Sequence, residues 1–97
     1  MRKLVTRPQA QLDVEDAAIW YESRKPSLGL RFLDELDYVA ERITVAPFQF
    51  PEIYANVRRG MLNRFPYSVY FLVSDDRVEI VAVLHQHRHP DTWKDRV

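Results

Sequence analysis

Apolar residues recur at helical spacing in the first half of the chain and at strand spacing in the second, and this change of period divides the sequence. Residues 3–7 form a short β-prone segment closed by Pro8, because proline holds its predecessor extended and suits the first turn of a helix. From Pro8 to Lys25, Ala10, Val14, Ala17, Ala18 and Tyr21 fall at i, i+4, i+7, i+8 and i+11, while Asp13, Glu15, Asp16 and Glu22 lie mostly elsewhere. That spacing predicts an amphipathic helix with a charged outer face. Lys25-Pro26-Ser27 interrupts it, and Ser27 is the expected N-cap of a second helix. There Phe32, Leu33, Leu36, Val39, Ala40 and Ile43 keep the period as far as Ala46-Pro47. Two helices joined by so short a break make an antiparallel hairpin, and Gly29 in the first turn of the second leaves room for their close approach.

Residues 47–51, PFQFP, cannot continue a helix, and both phenylalanines are expected to fill the core. Three β-rich stretches follow at 56–64, 67–74 and 78–85, separated by Phe65-Pro66 and by Asp75-Asp76-Arg77, as in a hairpin-connected meander. The last two are apolar at both parities, so both faces of the sheet are covered there. One cover is the helical hairpin; the other is the C-terminal segment or a partner. The expected fold is a single α+β domain over residues 1–97. It comprises a strand, a helical hairpin and an antiparallel three-stranded meander in a four-stranded sheet.

Composition narrows the chemistry. Hydrophobic residues make up 46% and charged residues 29%, a globular balance. Fourteen Lys+Arg offset fourteen Asp+Glu, so bulk charge supplies no attraction to nucleic acid or acidic membranes, and any basic site is local. The absence of cysteine removes disulfides, thiolate metal cages and a catalytic thiol. No apolar run is long enough for a signal peptide, and none approaches the roughly 18 residues of a membrane span. The expected location is the cytoplasm, with no membrane partner.

Three groups of residues carry possible chemistry. Between Ile53 and Ser74 the charged residues are Arg58, Arg59 and Arg64. Strand alternation puts Arg58 and Arg64 on one side and Arg59 on the other, and Arg58 and Arg64 would share a groove with His85, Arg88 and the C-terminal basic residues. Guanidinium suits bidentate contacts to phosphate or carboxylate; the alternative is pairing with Glu52, Glu79 or helical carboxylates. His85, His87 and His89 recur at every second position, a spacing compatible with zinc or proton transfer. No carboxylate lies between them and Pro90 ends the segment, so structural or partner-contact roles are favoured and no metal or cofactor is expected. Tyr67 and Tyr70 offer faces for base stacking and Trp93 an anchor, against the simpler reading that the aromatics, Trp20, Tyr21, Phe32, Phe65 and Phe71 among them, fill the core. Neither a phosphate-binding glycine loop nor a nucleophile elbow is present.

The order of these elements, with Trp20-Tyr21, Gly29 and Phe32, Pro47 and Pro51, Val57-Arg58-Arg59, Phe65-Pro66-Tyr67 with Val69-Tyr70, Val83-Leu84-His85, then Arg88, Pro90, Trp93 and Arg96, resembles the RelE/ParE superfamily of toxins from type II toxin–antitoxin systems. The resemblance runs nearly the whole length. It implies one of two activities: RelE-like members cut messenger RNA on the ribosome without a metal, and ParE-like members poison DNA gyrase. For the first, Arg58 and Arg88 match, with His85 as a further catalytic candidate. However, Ser68 stands where an arginine follows the tyrosine of the third strand, and Trp93 stands where a C-terminal tyrosine would be. Tryptophan has no ionisable proton to donate. Phe65-Pro66-Tyr67 and the His-Xaa-Xaa-Arg-Xaa-Pro pattern are closer to ParE-like and plasmid-stabilisation members. The resemblance therefore implies a growth-inhibiting toxin that binds an essential target, gyrase first, and is neutralised by a cognate antitoxin. Arg58, Arg59, Arg64, Tyr67, His85, Arg88 and Trp93 are the candidate contact groove. Nucleic acid enters only through RelE-like activity or the antitoxin complex. The alternatives are a RelE-like nuclease and a degenerate, non-toxic interaction partner.

Overall fold

The computed structural model of the chain describes residues 2–87 and 91–97. The chain opens with strand β1 (Lys3–Thr6), then helices α1 (Pro8–Arg24) and α2 (Leu28–Val45). Strands β2 (Glu52–Tyr54), β3 (Val57–Met61), β4 (Tyr67–Val73) and β5 (Arg77–His85) follow. A 3-10 turn at Pro47–Gln49 and a 3-10 segment at Thr92–Arg96 complete it. The strands form one five-stranded sheet in the order β1-β5-β4-β3-β2, with β1 parallel to β5 and the other pairs antiparallel.

The fifth strand corrects the expected four. Glu52 and Tyr54 pair with Arg58 and Val57 across a two-residue turn at Ala55-Asn56, where φ is 47° and 70°. Positive φ at both central residues is the hairpin geometry whose twist matches the flanking strands, usually signalled by Asn-Gly. The expected strand over 56–64 ends at Met61, because the Leu62 amide turns to donate to the Tyr67 carbonyl.

Each helix buries the expected stripe: Ala10, Val14, Ala17 and Tyr21 on α1; Phe32, Leu36, Val39, Ala40 and Ile43 on α2. They pack on one sheet face with Val69, Phe71, Val78, Ile80 and Val83. Of the two phenylalanines expected in this core, only Phe50 enters it. Phe48 is exposed, and the guanidiniums of Arg2 and Arg58 lie over its ring.

Ser27 does not cap α2 with its hydroxyl. Its φ of 71° departs from the extended backbone that aims an N-cap oxygen at the first free amides. The Glu22 carboxylate on α1 does this work, accepting from the Ser27 and Gly29 amides at 2.9 and 3.0 Å. Gly29 also sets the helix separation, since a Cβ there would lie 2.6 Å from the Ala18 carbonyl oxygen. Gly29→Ala is expected to push the helices apart and, net of its helix-propensity gain, destabilise by about 1–3 kcal/mol. Thermal unfolding checks this, at about 4–8 °C per kcal/mol for a domain of this size.

Candidate functional site

A bulge in β5 decides which residues share a face. Tyr70 pairs with Ala82 but Phe71 pairs with Ile80, so Val81 is the extra residue. Beyond it the parity is reset. Ile80 and Val83 face the helices, while Val81, Ala82 and Leu84 join Val57 and Tyr70 on the far face. That face is covered by the chain's own C-terminal segment: Trp93 is buried and stacks on Tyr70 with ring centroids 5.1 Å apart, and Tyr54 meets it edge-on at 5.7 Å.

The segment is fastened by charge. β1 accompanies β5 only as far as Ile80, whose carbonyl accepts from the Arg7 amide. Past that point the Arg96 guanidinium donates to the Val81 carbonyl and to both oxygens of Asp13 at 2.6 and 3.0 Å, and Asp13 also accepts from the Val83 amide. Arg7 closes the set by donating to the Arg96 carbonyl and to Glu79. The Arg7 hydrogen bond holds the Glu79 carboxyl below its ordinary value of 4.5 against the opposing effect of burial.

The residues predicted to share a groove do not all meet. Arg58 lies on the helix side, donating to the Phe50 carbonyl at 2.7 Å with Glu52 3.8 Å away, the pairing alternative foreseen from the sequence. Arg59 lies on the far face opposite Tyr70, and its buried Nε has no hydrogen-bond partner among the described residues. Arg64 has left the sheet, and its amide donates to Glu35 of α2. Tyr67 and His85 are strand partners with rings 5.4 Å apart, about 13 Å along β4 from the level of Arg58. Trp93 is across the sheet from them, and Arg88 lies outside the described residues. The strand ends at His85, where Nδ1 accepts from the His87 amide in the following turn, so the alternation expected for the imidazoles stops there; His89 is outside the described residues. Tyr70 and Tyr67 are both buried, Tyr70 beneath Trp93 and Tyr67 at the wall of a slot.

Two sets of residues went unmarked as sites. Asp13 sits on the buried stripe of α1, three residues after Ala10 and four before Ala17, a position where a carboxylate needs a partner. Asp16 and Trp20, on the same helix, line a slot with Tyr67 and His85.

The family model described as the ParE toxin of the type II toxin-antitoxin system, parDE, matches residues 4–90. The chain belongs to the ParE toxin family. A chain of the chromosomal ParDE toxin–antitoxin system from P. aeruginosa has a similar fold, with a TM-score of 0.78 at 20% identity over 88% of this chain and 96% of that one. No curated protein sequence matches. In this ParE-family chain the C-terminal fastening is a structural element in its own right. Trp93→Ala is expected to cost about 3–5 kcal/mol and Arg96→Ala about 2–3 kcal/mol, both read by urea unfolding.

The Arg7–Glu79 pair gives a pH signature. Because the folded-state value is depressed, the pair adds stability above the unfolded-state value, and this is lost as pH falls through the folded one. The stability gap between the wild type and Glu79→Gln should be full at neutral pH and close in acid below 4.5. Urea midpoints of the two proteins across that range check it; a gap unchanged in acid contradicts it.

Proposed function

We propose that this ParE-family toxin acts by binding and inhibiting an essential target, DNA gyrase first, rather than by cleaving RNA, and that a cognate antitoxin neutralises it. The observation that carries binding over catalysis is the position of Trp93. The RelE-like reading needs an ionisable group at this place, but the indole has only an N–H donor and lies flat on Tyr70. The distribution of the other candidates supports the same reading. General acid–base work needs groups within hydrogen-bond reach of one substrate position, whereas Arg58 and His85 stand at different levels of the sheet and Arg59 on its other face.

The outer surface of the hairpin supports a protein partner. Leu12 and Ile19 on α1 and Leu30, Tyr38 and Val45 on α2 are exposed, although the same helices bury a full apolar stripe on the sheet. Apolar side chains on both sides of a helix pair suit an amphipathic antitoxin helix laid against it.

Tightly controlled expression of the free chain tests the proposal when growth, plasmid supercoiling and messenger RNA integrity are followed in the same culture. Growth arrest with lost supercoiling and intact message is expected. Arrest with cleaved message would transfer the activity to the RelE-like reading, and unimpaired growth would remove toxin action.

A further inference from the structure

The side of the hairpin turned away from the sheet sorts its residues by type. On α1, Leu12, Glu15 and Ile19 follow one another at i, i+3 and i+7, opposite the buried stripe of Ala10, Val14 and Ala17. On α2, Leu30, Asp34, Asp37 and Glu41 recur at i, i+4, i+7 and i+11 in a second row. All seven residues are exposed. The two rows border one groove. Gly29 meets the Ala18 carbonyl where the helices touch, and in an antiparallel pair the next residue on each helix, Leu30 and Ile19, turns to the same outer side.

The polar members of both rows are acidic. Residues 8–45 hold eight of the chain's fourteen carboxylates and only four of its fourteen basic residues, although the chain as a whole is neutral. Of those eight, only Asp13, on the sheet side of α1, has an ion pair among the described residues. Asp34, Asp37 and Glu41 stand one turn apart without a countercharge, an arrangement that weakens a helix. Arg42 does not relieve them, because it is turned to the other flank of α2, over the rings of Tyr38 and Phe50.

We propose that this groove receives a partner's helix whose apolar stripe is flanked by lysine or arginine. Leu12, Ile19 and Leu30 supply apolar contact on both banks of a groove between two helices, and a third helix fits there with apolar residues at helical spacing. The acidic rows select its flanks: basic side chains relieve the repulsion along α2, and acidic ones add to it. The same charge disfavours other occupants. A second copy docked by a two-fold axis would set acidic row against acidic row, and an anionic membrane surface would be repelled. The inference rests on the protein-partner reading above and adds the charge that the partner must bring.

Peptide binding to the full chain tests this without reference to gyrase or growth arrest, so the two readings stand or fall separately. Two labelled helical peptides share one stripe of leucines at i, i+3, i+4 and i+7 and differ only in flanks of lysine or of glutamate; fluorescence anisotropy follows their titration. The lysine peptide should bind saturably, about tenfold or more tighter than the glutamate peptide, and weaken as salt is added. Asp37→Asn with Glu41→Gln should weaken it about three- to tenfold, and Ile19→Gln by a similar factor. Asp75→Asn with Asp95→Asn, at exposed carboxylates elsewhere, should leave it unchanged. All the substituted residues are exposed, so the variants should keep the fold, as thermal unfolding would verify. Absence of saturable binding, equal affinity for the glutamate peptide, full affinity in the Asp37–Glu41 variant, or an equal loss in the Asp75–Asp95 variant would overturn the proposal. Self-association of the chain that Ile19→Gln abolishes would assign the groove to a second copy and overturn it as well.

Discussion

The structure depends on how the edge of β5 is closed after β1 ends. Val81 and Val83 direct a carbonyl and an amide towards a side of the sheet where no strand continues, and buried backbone groups left unpaired cost about as much as a lost hydrogen bond each. Arg96 and Asp13 answer them together: the guanidinium takes the carbonyl, the carboxylate takes the amide, and the two bind each other at 2.6 Å. Three remote parts of the chain are thereby tied at one point. The first helix is set against the sheet, the bulge at Val81 is held, and the last residues are drawn across the far face.

From that fastening follows the cover of the second face. With Arg96 fixed at the β5 edge, the short segment before it places Trp93 over Tyr70, and the apolar set Val57, Val81, Ala82 and Leu84 is sealed by the chain itself. A sheet apolar at both parities thus has its second cover from its own C-terminus. The same arrangement limits where a partner can act. One sheet face is filled by the helices and the other by Trp93, so a partner meets the outer side of the hairpin and the edges of the sheet rather than its faces.

The sequence made the helices legible because their burial repeats along one line, Ala10, Val14, Ala17 and Tyr21 being enough to place α1. The close helix contact was readable in Gly29, since the missing side chain has one obvious use in the first turn. Other features left no such trace. Ala55-Asn56 adopts two left-handed residues without the glycine that normally announces that turn, so β2 was invisible. The bulge was hidden because Val81, Ala82 and Val83 read as apolar at either parity. The shared groove depended on Arg64 lying in the same strand as Arg58, and a strand ending at Met61 separates them. Asp13 stood on a buried stripe in plain view, but its partner lies 83 residues away, a distance no local pattern spans.

Closing the β5 edge, covering both sheet faces and seating α2 at Gly29 are demands of packing, and they consume Asp13, Arg96, Trp93 and Glu22. Arg58 is likewise engaged, with a backbone carbonyl and Glu52. Under the proposed binding function, target choice resides in the exposed apolar side chains of the hairpin, Leu12, Ile19, Leu30, Tyr38 and Val45, where substitution alters what is bound without disturbing the contacts that hold the sheet.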